Sequence, residues 1–191
     1  MLLSKILIKI INKIRLIVLK GISTNKWCGN PHIIQPIQAC GAGKIYFGKN
    51  VVIGVEKSPH LFSTYAYIEA RNKNSKIYIG DDTWINNGVV LIAEHSEINI
   101  GKRVLIGTKV EIIDSNFHGK NIANRMISSH LDAKPVIVGD DVFIGSNVKI
   151  MKGVKIGAGS IIGNSSVVVN DVPPNSIAAG NPARKIADID S

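Results

Sequence analysis

IVGDDVFIGSNVKIMKGVKIGAGSIIGNSSVVV, residues 137–169, keeps a beat of six. An aliphatic lead residue stands at Val138, Ile144, Ile150, Ile156, Ile162 and Val168, and Gly follows it at Gly139, Gly145, Gly157 and Gly163. Four positions after each lead comes a small or β-branched residue: Val142, Val148, Val154, Ser160, Ser166 and Val172. With Ile and Val together at about a quarter of the chain, six matched leads in a row would arise by chance roughly three times in ten thousand per register. The same phase runs earlier through Ile79-Gly80, Ile85 and Leu91, and through Ile100-Gly101, Ile106-Gly107 and Ile112. A period of six is neither that of a helix nor that of one long strand. It fits a short strand and a turn, repeated so that three units close one triangular coil: a β-solenoid. The leads point inward and stack, the small residues fit tight corners, and Gly lets neighbouring backbones approach.

Composition agrees. The 191 residues, 45% hydrophobic and 19% charged, are enough for one domain with a real core and exclude intrinsic disorder. Ile (33) and Val (17) outnumber Leu (9), which suits strands rather than a helical bundle. A packed solenoid has no interior pocket, so function must sit on outer faces, between subunits, or on loops that interrupt the beat. Two interruptions stand out. The step from Leu91 to Ile100 is nine residues, around Glu94 and His95. Between Ile112 and Val138 the excursion DSNFHGKNIANRMISSHLDAK, residues 114–134, carries Asp114, Asn116, His118, Arg125 and His130 on rigid supports, the best site candidate.

The net charge of +9 is concentrated at one end: residues 1–55 carry +8 without a carboxylate before Glu56, and the remainder carries +1. The body therefore lacks the cationic face and stacking aromatics of a nucleic-acid reader, and no nucleic-acid partner is expected. Residues 1–20 read as a basic amphipathic helix, with Lys5, Lys9, Lys13 and Lys20 on one stripe opposite Leu3, Ile6, Leu7, Ile10, Ile14, Ile17 and Val18. Cations break the stretch too often for a signal peptide or a membrane span. Two readings stand: the apolar face docks on the protein itself or a neighbouring subunit, or it lies on an anionic membrane. The second places the protein in the cytoplasm, peripheral at the inner face of the cytoplasmic membrane. Residues 21–44 read as linker and entry to the solenoid, and 45–187 as the solenoid domain with its loop excursion at 114–134. Cys28 and Cys40 lack metal-type spacing and read as small buried hydrophobes in a reducing compartment.

The hexads, the loop His within IIDSNFHG and the closing Gly180-Asn181-Pro182-Ala183 together resemble the hexapeptide-repeat acyltransferases, over roughly residues 45–187. The version resembled is the acetyl-CoA-dependent O-acetyltransferases of sugars and surface polysaccharides. The resemblance implies an all-β fold, a left-handed parallel β-helix, here with the N-terminal amphipathic α-helix added, assembled as a homotrimer. It implies acetyl-CoA as co-substrate, a carbohydrate acceptor and no metal. His118 would be the general base, since neutral imidazole has a suitable pKa for deprotonating a hydroxyl. Asn86 would help hold the acceptor, as would Asp114 and Arg125, Asp114 alternatively orienting the imidazole or being a solvated turn residue. Phe143, Gly145, Ser146, Asn164 and Arg184 match donor-binding positions. Relatives often have a small residue at Asn164 and a cation near Asn170; Lys152, Lys155 or Lys185 would compensate. His95 and His130 read as surface turn residues. A γ-type carbonic anhydrase is disfavoured because His95, His118 and His130 are 23 and 12 apart, without a close pair. An antibiotic acetyltransferase of the same superfamily and a non-catalytic solenoid scaffold are the alternatives.

Overall fold

A computed structural model of the chain describes residues 2–189. The backbone winds as a left-handed parallel β-helix of triangular section, preceded by one helix, α1 (Leu2–Ile22). Each face of the prism is a parallel sheet. The first face runs from His32–Ile33 through Trp84–Ile85 and Phe143–Ile144 to Ser176–Gly180, and is closed by the antiparallel strand Ala183–Asp188. The second runs from Ile37–Cys40 to Val167–Val168, and the third from Lys44–Phe47 to Lys155–Ile156.

The predicted leads stack in register. On the first face Ile53, Ile85, Ile106, Ile144 and Ile162 lie over one another, and on the second Ile68, Leu91, Ile112, Ile150 and Val168 do so. All are buried, as are the corner residues of the unbroken run, Val142, Val148, Val154, Ser160, Ser166 and Val172. Where the corner is Ser, its hydroxyl bonds a local carbonyl: Ser160 Oγ donates to Pro173 O and Ser166 Oγ to Gly163 O, both at 2.7 Å. The Gly after the lead is needed for close approach, since a Cβ at Gly157 would lie 2.3 Å from the Pro174 nitrogen. The left-handed turn residue is instead the third after the lead, φ 59° at Asp82, Asp141, Asn147 and Ser165. Asp and Asn tolerate that conformation, and Gly88, Gly153 and Gly159 fill it elsewhere.

Three expectations are corrected. Strands occur well before residue 45: Ile37–Cys40 already pairs with Ala66–Ala70, so the 21–44 stretch contributes the first coil. Cys28 is exposed and Cys40 half-buried, so neither is a core residue. A third excursion, residues 54–65, leaves the corner between the first and second faces. Gln35 and Asn87 hold it, Asn87 donating to the carbonyls of Val55, Ser58 and Pro59.

Candidate active site

The excursion at 114–134 leaves the solenoid at the corner between the second and third faces and returns to its starting point, where Lys134 N–H donates to Asp114 O at 2.8 Å. Asp114 anchors it. Its carboxylate is fully buried and accepts the backbone N–H groups of Glu94, His95 and Ser96 at 2.7, 3.1 and 2.6 Å. This corrects the three sequence-based roles for Asp114: it is not solvated, and its oxygens are committed to the 94–96 turn rather than to the imidazole or an acceptor.

Glu94 ties the excursion shut from beneath. Its buried carboxylate accepts Ser115 Oγ at 2.5 Å and Ser128 Oγ at 2.7 Å, and pairs with Arg71 at 3.1 Å. Burial alone would raise the Glu94 pKa, but the two hydroxyls and the guanidinium outweigh it and hold the carboxyl below its ordinary value. Arg71 also pairs with Glu69 at 3.0 Å, and its guanidinium lies 4.9 Å over the Phe117 ring. That support holds Phe117 at φ 61°, a strained conformation for an aromatic residue, with its N–H on Ser115 Oγ at 3.0 Å.

His118 follows directly and is exposed. Its Nδ1 lies 3.0 Å from the Arg125 carbonyl oxygen. A carbonyl can only accept, so Nδ1 carries the proton, and the neutral ring presents its Nε2 lone pair away from that bond. Arg125 thus meets His118 through its backbone, while its side chain is exposed. His95 and His130 are brought edge to face, ring centroids 6.4 Å apart, and Asn72 contacts His95 Nδ1 at 3.1 Å. Among the described residues, no group of three or more His, Cys, Asp or Glu could hold a metal ion.

Asn86 lies one corner away, on the turn from the first to the second face. With Val55, Trp84, Leu105, Gly107 and Phe143 it lines a shallow groove of about 190 Å³. Asn86 and Phe143, which the resemblance assigns to acceptor and donor, therefore share one groove, whereas His118 sits on the next corner of the same chain. Trp84 and Leu105 went unread in the sequence. Their signal was their place, the outward position before each lead, as in Trp84-Ile85, Leu105-Ile106 and Phe143-Ile144. Glu94, Arg71, Ser115 and Ser128 were also missed as a unit, since they are distant in sequence.

Among the donor-type residues, Gly145 and Ser146 lie on the turn after Phe143. Ser146 N–H donates to Asn164 Oδ1 at 2.7 Å. Lys49 N–H to Asp81 and Lys102 N–H to Asp140 repeat this strut at 2.8 Å. The Asn164 oxygen is thus tied to the neighbouring coil, which explains a larger residue at that position. Arg184 is exposed on the closing strand, its guanidinium 2.9 Å from Ala183 O. Lys152 and Lys185 pair with Asp132 and Asp188, and Lys155 is exposed.

Residues 135–170 match the family model for the bacterial transferase hexapeptide (six repeats). The Saccharomyces cerevisiae protein named "Putative acetyltransferase YJL218W" is 40% identical over 120 residues, 61% of this chain. The chain spans 60% of the length of that curated relative. The hexapeptide-repeat acetyltransferase VCA0836 of Vibrio cholerae O1 biovar eltor, solved with acetyl coenzyme A, superposes with a TM-score of 0.59 at 25% identity, covering 96% of this chain and 90% of that one. The polySia-specific acetyltransferase NeuO superposes at 0.56 with 30% identity, covering 83% and 71%.

Proposed function

This chain belongs to the hexapeptide-repeat transferases, and from that premise we propose that it is an acetyl-CoA-dependent O-acetyltransferase acting on a hydroxyl of a sugar or cell-surface polysaccharide precursor. The observation that carries the reading is the His118 Nδ1 contact to the Arg125 carbonyl, which leaves Nε2 as the basic nitrogen. Acetyl-CoA would supply the acyl group as a thioester. His118 Nε2 takes the acceptor hydroxyl's proton as its oxygen forms the new C–O bond; the C–S bond breaks, and the imidazolium returns the proton to the thiolate. The exposed imidazole fits this task, its Nδ1 held by the neutral Arg125 carbonyl while the Glu94 clasp braces the turn beneath it.

Donor binding belongs to the groove of Trp84, Asn86, Leu105 and Phe143, with Gly145 and Ser146 beyond it and Arg184 reaching phosphate. Because Asn86 and His118 lie on successive corners, a homotrimer joins them: the Asn86 corner of one copy meets the His118 corner of the next. Two features favour that assembly. The outward column Trp84, Leu105 and Phe143 is 45–50% exposed and apolar, and Ile122, Met126 and Ile127 project from the excursion.

A thermal melt with increasing acetyl-CoA tests the donor without knowledge of the acceptor. The melting temperature should rise saturably, by the equivalent of about 2.7 kcal/mol at a hundredfold excess over Kd. An unchanged melt at millimolar acetyl-CoA overturns the donor assignment and favours the scaffold reading.

A further inference from the structure

We propose that the outward face of α1 is an interfacial anchor that seats the protein on an anionic phospholipid bilayer, a role independent of acyl transfer. The helix is fixed to the solenoid by its polar side. Asn12 Nδ2 donates to Ile34 O at 2.8 Å, and Arg15 donates to Leu61 O at 2.7 Å and to Thr64 O. Leu16 and Leu19 are half-buried beside them. This decides against the helix's apolar face docking on the protein's own body. At 100° per residue, the docked arc of Asn12, Arg15, Leu16 and Leu19 and the arc of Ile6, Ile10, Ile14, Ile17 and Val18 are centred about 180° apart. The second arc is 47–63% exposed.

The solenoid extends this surface. Phe62 and Tyr65, both exposed, join Ile14 and Val18 around a groove of about 320 Å³. Lys9, Lys13 and Lys20 fall together in the strip between the two arcs, where their ammonium groups can reach headgroups while the apolar arc enters the acyl boundary. Charge selects the occupant. Residues 1–55 carry +8 without a carboxylate, whereas the body nets +1 and its surface Asp81, Asp140 and Asp141 are already paired with the body's own Lys102 and Arg103. An anionic bilayer supplies both the apolar depth and the counter-charge. Nothing here spans: among the described residues no helix is long and apolar enough to cross a membrane.

Co-sedimentation of the full chain tests this with vesicles of phosphatidylglycerol and phosphatidylcholine, and of phosphatidylcholine alone. The chain should pellet with the anionic vesicles, less with the neutral ones, and less as salt rises. Lys9→Gln/Lys13→Gln/Lys20→Gln leaves the Asn12 and Arg15 contacts intact and should weaken anionic binding on the order of a hundredfold. Ile10→Asp/Ile17→Asp should abolish binding while the particle mass by light scattering stays unchanged. Three results would overturn the proposal: no pelleting above the vesicle-free control, full binding by both variants, or a smaller particle for Ile10→Asp/Ile17→Asp, which would assign the face to a second copy.

Discussion

Around His118 each neighbour has a separate task. Arg125 O selects the tautomer, Ser115 receives the Phe117 N–H, and Glu94 joins Ser115 to Ser128 so that both ends of the turn are held. Glu94 is a positioning residue, acting on His118 only through this clasp. Replacing it by Gln removes the charge and one good acceptor pairing; hydrogen bonds to a charged group contribute about 1.5–3 kcal/mol. Hydrogen exchange across 115–128 should accelerate roughly tenfold or more in Glu94→Gln, with exchange in the solenoid strands unchanged. Acceleration spread evenly over the coils would show a global structural role instead. The pH dependence has a definite sign. A carboxyl lowered on folding stabilises above its unfolded value and loses that contribution as pH falls through the lowered one. The excursion should therefore keep constant protection at neutral pH and lose it in acid below 4.5, the ordinary value of that carboxyl. At this scale the sequence is only partly legible. His118 is visible as a loop His after a polar run, but the partners of Asp114 and Asn164 are backbone N–H groups about twenty residues away. Neither residue type announces such a partner.

The coil is the most legible element, because its inner column repeats one steric demand at every turn. Ile106 over Ile144 over Ile162 requires the same residue class each time, so the beat is printed in the sequence. It fades where coils carry excursions: residues 54–65 displace the rhythm before Ile79, which hid the first coil. The glycines separate two physical roles. Gly157→Ala places a Cβ against Pro174 backbone that cannot yield, whereas Gly21, near the end of α1, has nothing within 4 Å. Gly157→Ala should destabilise by about 2 kcal/mol or more, and Gly21→Ala should be neutral or stabilise by about 0.5 kcal/mol. Chemical denaturation of both variants checks this, and equal effects would contradict the packing argument. The orientation of α1 was beyond the sequence. Its two faces could be read from spacing, but which one meets the body depended on the carbonyl of Ile34, just after the first strand, and on those of Leu61 and Thr64 in the 54–65 excursion, whose path spacing does not give.

At the scale of the whole molecule, a filled solenoid brings its chemistry to the surface, and three features converge there: an apolar groove on one face, a positioned imidazole at the next corner, and a helix turning its apolar arc away from the body. The first two define the proposed acetyltransferase, and the third is the surface proposed to meet a membrane. The central claim is that His118 is the base of an acetyl transfer, and the direct measurement is acceptor-dependent release of CoA thiol, over a panel of sugars, by the native chain and by His118→Ala. The account predicts turnover with at least one sugar and a loss of about 10²–10⁴-fold in the variant, with its acetyl-CoA melting shift retained. Turnover by His118→Ala at the native rate would contradict it.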